Sequence, residues 1–267
     1  MKQGYTIEEL LACVISRHIE DGENVASGAN ALVPQAAGLL AHFHHGPNMR
    51  FYMGQTWTNV FNVPMVQIGS LTDYRAYRGN AEYCRRHEEG FDRAFYGRKK
   101  GIFSTFFIGA IQVDRYGNLN MFGVGDDYRH LKFRGPGIIG LAHVLNFMHN
   151  IYVYATNHTK RLFVEKLDYV SAIGYGDGPN FRKKWCLPGP GPKMCFSPMA
   201  IMDFDEKTKR MRLKSVHPGF TVEQIMENTG FELIIPENVP TTEPPTDEEL
   251  RILRTRVDPA GLLRSSG

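Results

Sequence analysis

Between Glu23 and Asp73 the chain carries no carboxylate, although Asp and Glu together number 28 among its 267 residues. Within that gap lies "MRFYMGQTWTN" (49–59), apolar enough to be a buried strand. Other features are scarce too. The four cysteines are scattered and include no C-x-x-C pair, so neither a disulfide framework nor a structural zinc site is indicated. No G-x-S-x-G elbow is present, so a self-contained serine hydrolase triad has no support. A net charge of +3 is too small to mark a nucleic-acid partner. Glu8, Glu9, Arg17 and His18 interrupt the apolar N-terminal stretch, which excludes a signal-peptide core or a membrane span there and leads us to expect a cytoplasmic protein.

What is present alternates helix and strand. "TIEELLACVISRHIEDG" opens with the capping spacing Thr6 to Glu9 and repeats apolar residues at helical intervals until Gly22. "ENVASG" reads as a strand, "NALVPQAAGLLAHFH" as a helix with Pro34 in its first turn, and "MRFYMG" as the next strand. Downstream, "STFFIGAIQVDRYGNLNMFGV" holds a covered strand, a turn at 114–118 and a second strand. "GLAHVLNFM" reads as a helix; "NIYVYAT", "DYVSAIGYG" and "FELII" read as strands, and "FSPMAIMDFDEKTKRMRLKSVHP" as two strands around a charged turn. The helices "TVEQIMENTG" and "TDEELRILRTRV" carry capping residues. The order predicts an α/β fold with an open, mostly parallel sheet flanked by helices. One main domain is expected over 1–235, followed by a Pro-rich linker and a C-terminal helix over 236–267.

Three stretches could carry chemistry. "FRGPGIIG" (133–140) places glycines before an apolar helix, where free backbone N–H groups suit a phosphate or an oxyanion. A plain tight turn fits the same letters. "NHTKR" (157–161) directly follows a strand, where open α/β sheets place binding residues, and a solvated basic turn is the plainer account. His42 and His45 share a helix end without a third ligand of matching spacing, so no metal site is expected.

Longer blocks resemble the beta subunit of the class I coenzyme A transferase family, in particular its glutaconate CoA-transferase branch. They are "GAIQVDRYGNLN" (109–120), "KFRGPG" (132–137), "NHTKRLFVEKLDYVSAIGYGDGP" (157–179), "FDEKTKRM" (204–211), "HPGFTVEQIMENTGFEL" (217–233) and "RVDP" (256–259). The resemblance implies the family's open α/β fold, similar to that of sugar-phosphate isomerases, and an alpha subunit of related fold in an αβ or α2β2 assembly. It also implies coenzyme A as part of the substrate, with no tightly bound cofactor. The family's Gly-rich CoA-lining stretch falls on Gly135, Gly137 and Gly140, without the commoner Gly-Gly-Ala wording, and Asn157 and His158 fall on a second binding turn.

In transferases of this branch the beta subunit's glutamate attacks the thioester, which is nucleophilic catalysis that a neutral side chain cannot copy. The matching place here is Gly54, or Met53 or Gln55 if the register slips by one, and none is acidic. Glu23 lies 31 residues before Gly54 and Asp73 lies 19 after it, beyond any plausible slip. Two branches resembling this chain lack the glutamate: ring-opening hydrolases of steroid catabolism, and a decarboxylase with cysteine in its place. Cysteine is absent here too. The resemblance is therefore nearest to the hydrolase beta subunits, which share the wording at Gln112 to Asn118, Asn157 to Glu165 and Val170 to Tyr175, and whose catalytic glutamate resembles one supplied by the alpha subunit. A genuine transferase and a noncatalytic stabilising subunit are the alternatives.

Overall fold

The computed structural model describes residues 4–28, 31–53, 57–58, 83–84, 104–138 and 140–265, with the backbone alone at 53, 57–58 and 83–84. It divides into two compact units, residues 1–107 together with 243–267, and residues 108–242. This division differs from the expected one, which ran 1–235 and 236–267. The C-terminal stretch is part of the first unit because Leu253, Val257 and Leu263 are fully buried and two ion pairs tie it down.

The first unit is built on α1 (Ile7–Ser16), β1 (Asn24–Ser27), α2 (Leu32–His44) and β2 (Arg50–Met53). The expected capping box forms: the Thr6 hydroxyl accepts from the Glu9 N–H while Glu9 accepts from the Thr6 N–H. β1 lies parallel to β2 on one side and to the first residues of β5 (Thr105–Gly109) on the other. Short antiparallel pairings with β3 (Trp57–Thr58) and β4 (Tyr83–Cys84) extend the β2 side. Glu9, only 1% exposed, is held by Arg254, and Glu249, 2% exposed, by Arg17. Burial alone would raise both carboxyl pKa values; these guanidinium bonds, with the N-cap amides, hold them below the usual range.

The second unit carries two short antiparallel ladders, β6 (Gln112–Val113) with β7 (Leu119–Asn120) and β8 (Gly123–Val124) with β9 (Phe133–Arg134). They are followed by α3 (Leu141–Phe147) and β10 (Asn150–Tyr154). β10 runs parallel to β11 (Pro192–Phe196), after the short helix α4 (Phe181–Lys184). β12 (Ala200–Phe204) and β13 (Met211–Val216) add antiparallel, and α5 (Val222–Asn228) follows with its own capping box from Thr221. Each unit is thus parallel at its centre and antiparallel toward one side, and the expected α/β class is observed.

Two expected strands are absent. Residues 168–176 make a single bridge, Leu119 to Ala172, and "FELII" a single bridge, Arg212 to Ile234. Around the first, the Asn118 carboxamide oxygen takes the Gly174 and Gly176 amides, so side-chain bonds replace a ladder. The Pro-rich stretch docks on β13, where the Val216 N–H donates to Pro240 and the Thr242 N–H to Val216. Among the described residues no helix is long and apolar enough to cross a membrane.

Candidate functional site

The family's nucleophile position, Gly54, and its neighbour Gln55 lie outside the described residues; of Met53 the structure gives the backbone, paired with Ser27 and Trp57. The strand that leads there is nevertheless well defined. Glu23 sits at the opposite, amino end of the same parallel strands. Its carboxylate accepts from the Thr105 hydroxyl at 3.1 Å, and its carbonyl from the Arg50 N–H. The four residues of β1 separate it from the carboxyl end by about 13 Å at strand rise. Asp21 is also engaged at the amino end, taking the N–H and side-chain amide of Asn48 at 2.7 Å each. Both acids are thus engaged at the amino end of the strands, away from the carboxyl end of β1.

At the carboxyl end of β1 the sequence reading missed two residues. Val25 pairs with Phe51 and Ser27 with Met53, so Ser27 shares the face of Val25 and Phe51. That face looks at α2, because the Phe51 ring lies 2.7 Å from where a Cβ on Gly38 would stand. Gln35, one turn before Gly38, is on the same helix face and nearer the strand's carboxyl end. Ser27 and Gln35 are both fully buried, and among the described residues neither the Ser27 hydroxyl nor either end of the Gln35 carboxamide has a hydrogen-bond partner. Unpaired buried groups cost about 1–3 kcal/mol each, so such a pair calls for an explanation. The available signal was a polar residue at a core-spaced position in "VPQAAG".

In the second unit the Gly-rich stretch is a backbone-packed turn. The Gly135 N–H donates to the Phe122 carbonyl at 2.8 Å and the Gly137 N–H to the Met121 carbonyl at 3.2 Å. A Cβ on Gly135 would strike the Met121 carbonyl, whereas one on Gly137, at φ +119°, would meet open space among the described residues. The two amides expected to face a phosphate are therefore already spent inside the protein. What this turn can offer a ligand is close backbone approach at Gly137 and the Arg134 guanidinium, stacked 4.6 Å over the Phe122 ring. Gly140, in the left-handed region at φ 72°, starts α3.

Asn157 and His158 follow β10 and part company. Asn157 is exposed, its carboxamide oxygen accepting from the Thr159 hydroxyl at 3.0 Å. His158 is buried, with Nδ1 at 2.7 Å from the Ser197 hydroxyl, Nε2 at 3.0 Å from that of Thr229, and its ring stacked on Phe163. Both ring nitrogens are thus used internally, and His158 anchors the turn on which Asn157 stands exposed. His217 is placed alike, between the Thr242 hydroxyl at 2.9 Å and the Ser197 carbonyl at 3.0 Å. That carbonyl can only accept, so Nε2 of His217 carries its proton and Nδ1 accepts from Thr242. Burial depresses both imidazoles to about 4, helped at His158 by the nearby His217.

The family-like wording "QVDRYGN" has a structural meaning. Asp114 accepts the amides of Tyr116 and Asn118 and the Asn118 side chain, which in turn reaches the Gly176 carbonyl. The loop 174–192 is held from within by Arg182. Its five guanidinium contacts go to the carbonyls of Gly189, Ile173, Gly174 and Leu145 and to the Asn146 side chain, and burial lowers its pKa. His45 Nε2 lies 2.9 Å from the Ile19 carbonyl, and among the described residues no group of three His, Cys, Asp or Glu side chains could hold a metal ion. Cys13 and Cys195 are buried; burial raises the Cys13 thiol to about 12 and raises Cys195 as well, so neither is a thiolate nucleophile.

A parallel β–α–β start, with α2 joining β1 to β2, defines an open α/β protein. Residues 9–228 match the coenzyme A transferase family, and the chain belongs to it. It is 32% identical over 262 residues to the beta subunit of glutaconate CoA-transferase of Acidaminococcus fermentans, covering 96% of this chain and 93% of that one. The crystal structure of glutaconate coenzyme A-transferase from the same organism superposes with a TM-score of 0.83 at 29% identity, covering 99% of each chain. The cholesterol ring-cleaving hydrolase IpdB subunit of Mycobacterium tuberculosis is 34% identical over 180 residues, 64% of this chain and 65% of that relative.

Proposed function

We propose that the chain is the beta subunit of a heteromeric enzyme acting on an acyl-CoA thioester, with an alpha subunit of related fold in an αβ or α2β2 assembly. The reaction is hydrolytic C–C ring opening of a cyclic keto acyl-CoA, with water as co-substrate and the catalytic glutamate supplied by the alpha subunit. One observation carries this reading: no carboxylate lies between Glu23 and Asp73, and Glu23 is fixed at the wrong end of β1. A chain without a nucleophile at Gly54, Met53 or Gln55 cannot form the glutamyl-CoA intermediate of a ping-pong transferase.

Within this reading Gly135 shapes the turn, Gly137 and Gly140 let the backbone approach the coenzyme A moiety, and exposed Asn157 offers its carboxamide to substrate. His158 holds Asn157 in place. Coenzyme A enters as part of the substrate, and no tightly bound cofactor is required. The similarity to a ring-cleaving hydrolase subunit supports this choice. The nearly full-length similarity to a glutaconate CoA-transferase subunit favours a second reading, CoA transfer between carboxylic acids with the nucleophile on the partner.

Turnover of cyclic keto acyl-CoA in 18O-labelled water by the co-purified heteromer separates the two. Hydrolytic ring opening places 18O in the newly formed carboxylate and needs no acceptor acid. Turnover that requires a free carboxylic acid and transfers coenzyme A to it would overturn the hydrolase reading in favour of the transferase.

A further inference from the structure

We propose that Ser27, Gln35 and the start of α2 form a subsite for an oxygen function on the substrate's acyl chain, a carboxylate or a keto oxygen. This rests on the acyl-CoA reading above and goes beyond it by assigning a specificity element to the first unit alone. Three independent observations converge on one place. Ser27 and Gln35 are fully buried, without a partner among the described residues, and on facing surfaces at the carboxyl end of β1. α2 spans 13 residues, and its N-cap, Ala31, makes no side-chain cap bond; no acid occupies the first turn. Gln35 is the residue whose N–H closes the first helical bond, onto the Ala31 carbonyl, and Pro34 has no N–H, so the orphan donors are those of Leu32 and Val33. A side chain on Gly28 would meet none of the described residues within 4 Å.

The chemistry of this set selects an electron-rich oxygen. A hydroxyl and a carboxamide N–H can donate from the strand and the helix, and the positive end of α2 adds its dipole. Side chains on a helix lean toward its N-terminus, which directs Gln35 over the first turn of α2, where Ser27 also faces. An apolar acyl chain would leave all of these groups unpaired. A chain with a second carbonyl or carboxyl group satisfies them.

The test uses the co-purified heteromer and isothermal titration with three thioesters of equal chain length: pentanoyl-CoA, 3-oxopentanoyl-CoA and glutaryl-CoA. The wild-type protein is expected to bind one oxygenated ester about tenfold tighter than pentanoyl-CoA. Which ester gains identifies a keto oxygen or a carboxylate as the partner. In Gln35→Met, whose side chain is unbranched and of similar volume, the ratio is expected to fall to about one, and in Ser27→Ala to fall by severalfold. Equal binding of all three esters by the wild type overturns the subsite while leaving the acyl-CoA reading intact. A preference that survives both substitutions, with only thermal stability altered, also overturns it and leaves an internal water as the partner of these groups. Failure to bind any of the three overturns both.

Discussion

Acidification should weaken this fold through His158 and His217 before its carboxylates matter. Both imidazoles are buried and bonded internally, and their pKa values fall from 6.5 to about 4. Above pH 6.5 neither the folded nor the unfolded chain protonates them. Below it the unfolded chain takes up two protons that the folded chain refuses, until about pH 4. At pH 5.5 this amounts to about 1.4 kcal/mol per histidine, or about 3 kcal/mol for the pair. Glu9 and Glu249, whose pKa values are lowered below 4.5, lose their contribution only at lower pH, so the window from pH 7.5 to 5.5 isolates the histidines. His42, depressed by burial, adds a smaller part of the same sign. Urea unfolding of the wild type at both pH values, beside a His158→Gln, His217→Gln double variant, reads the effect directly. The wild type is expected to lose about 3 kcal/mol more than the double variant across the window. Equal losses would refute the depressed imidazoles and the hydrogen-bond assignment behind them.

Three further outcomes follow from the geometry. Replacing Arg182 by Met leaves buried carbonyls at Gly174 and Leu145 without a donor, which should cost about 3 kcal/mol and raise hydrogen exchange across 174–192 rather than elsewhere. Arg254→Ala removes both of its guanidinium bonds from the buried Glu9 carboxylate, leaving it the Thr6 N–H and Arg264 at 4.0 Å, and should destabilise by about 3 kcal/mol in thermal or urea unfolding at pH 7, with much of the loss recovered by Glu9→Gln in the same chain. Gly135→Ala forces a Cβ against the Met121 carbonyl and should lower the melting temperature by several degrees, measured by calorimetry; Gly137→Ala meets no described neighbour and should affect stability through its positive φ alone.

What the sequence made legible was mostly local. The Thr6 and Glu9 capping box, the Pro34 helix start and the Asp114 to Asn118 turn each depend on residues a few positions apart, and each formed as read. The "DYVSAIGYG" stretch misled because β-branched and aromatic residues record a half-buried surface, not a ladder, and Asn118 captured its backbone instead. At the candidate site the glycines were visible but their reason was not: Gly135 is small because the Met121 carbonyl crosses it, a contact set by the hairpin of β8 and β9. His158 was visible as a polar residue after a strand, yet its partners, Ser197 and Thr229, lie 39 and 71 residues away. Ser27 and Gln35 went unread because each is unremarkable alone, and only the register of β1 with β2, together with the Phe51 contact at Gly38, turns Ser27 toward the side of α2 that carries Gln35.

The central claim is that this chain contributes no nucleophile to acyl-CoA chemistry. Intact-mass spectrometry of both subunits, after the heteromer is mixed with an acyl-CoA substrate and quenched in acid, tests it most directly. The account predicts that this chain retains its unmodified mass while substrate turns over, and that it has no activity without its partner. A coenzyme A or acyl adduct on a carboxylate of this chain, mapped by peptide sequencing, would contradict it.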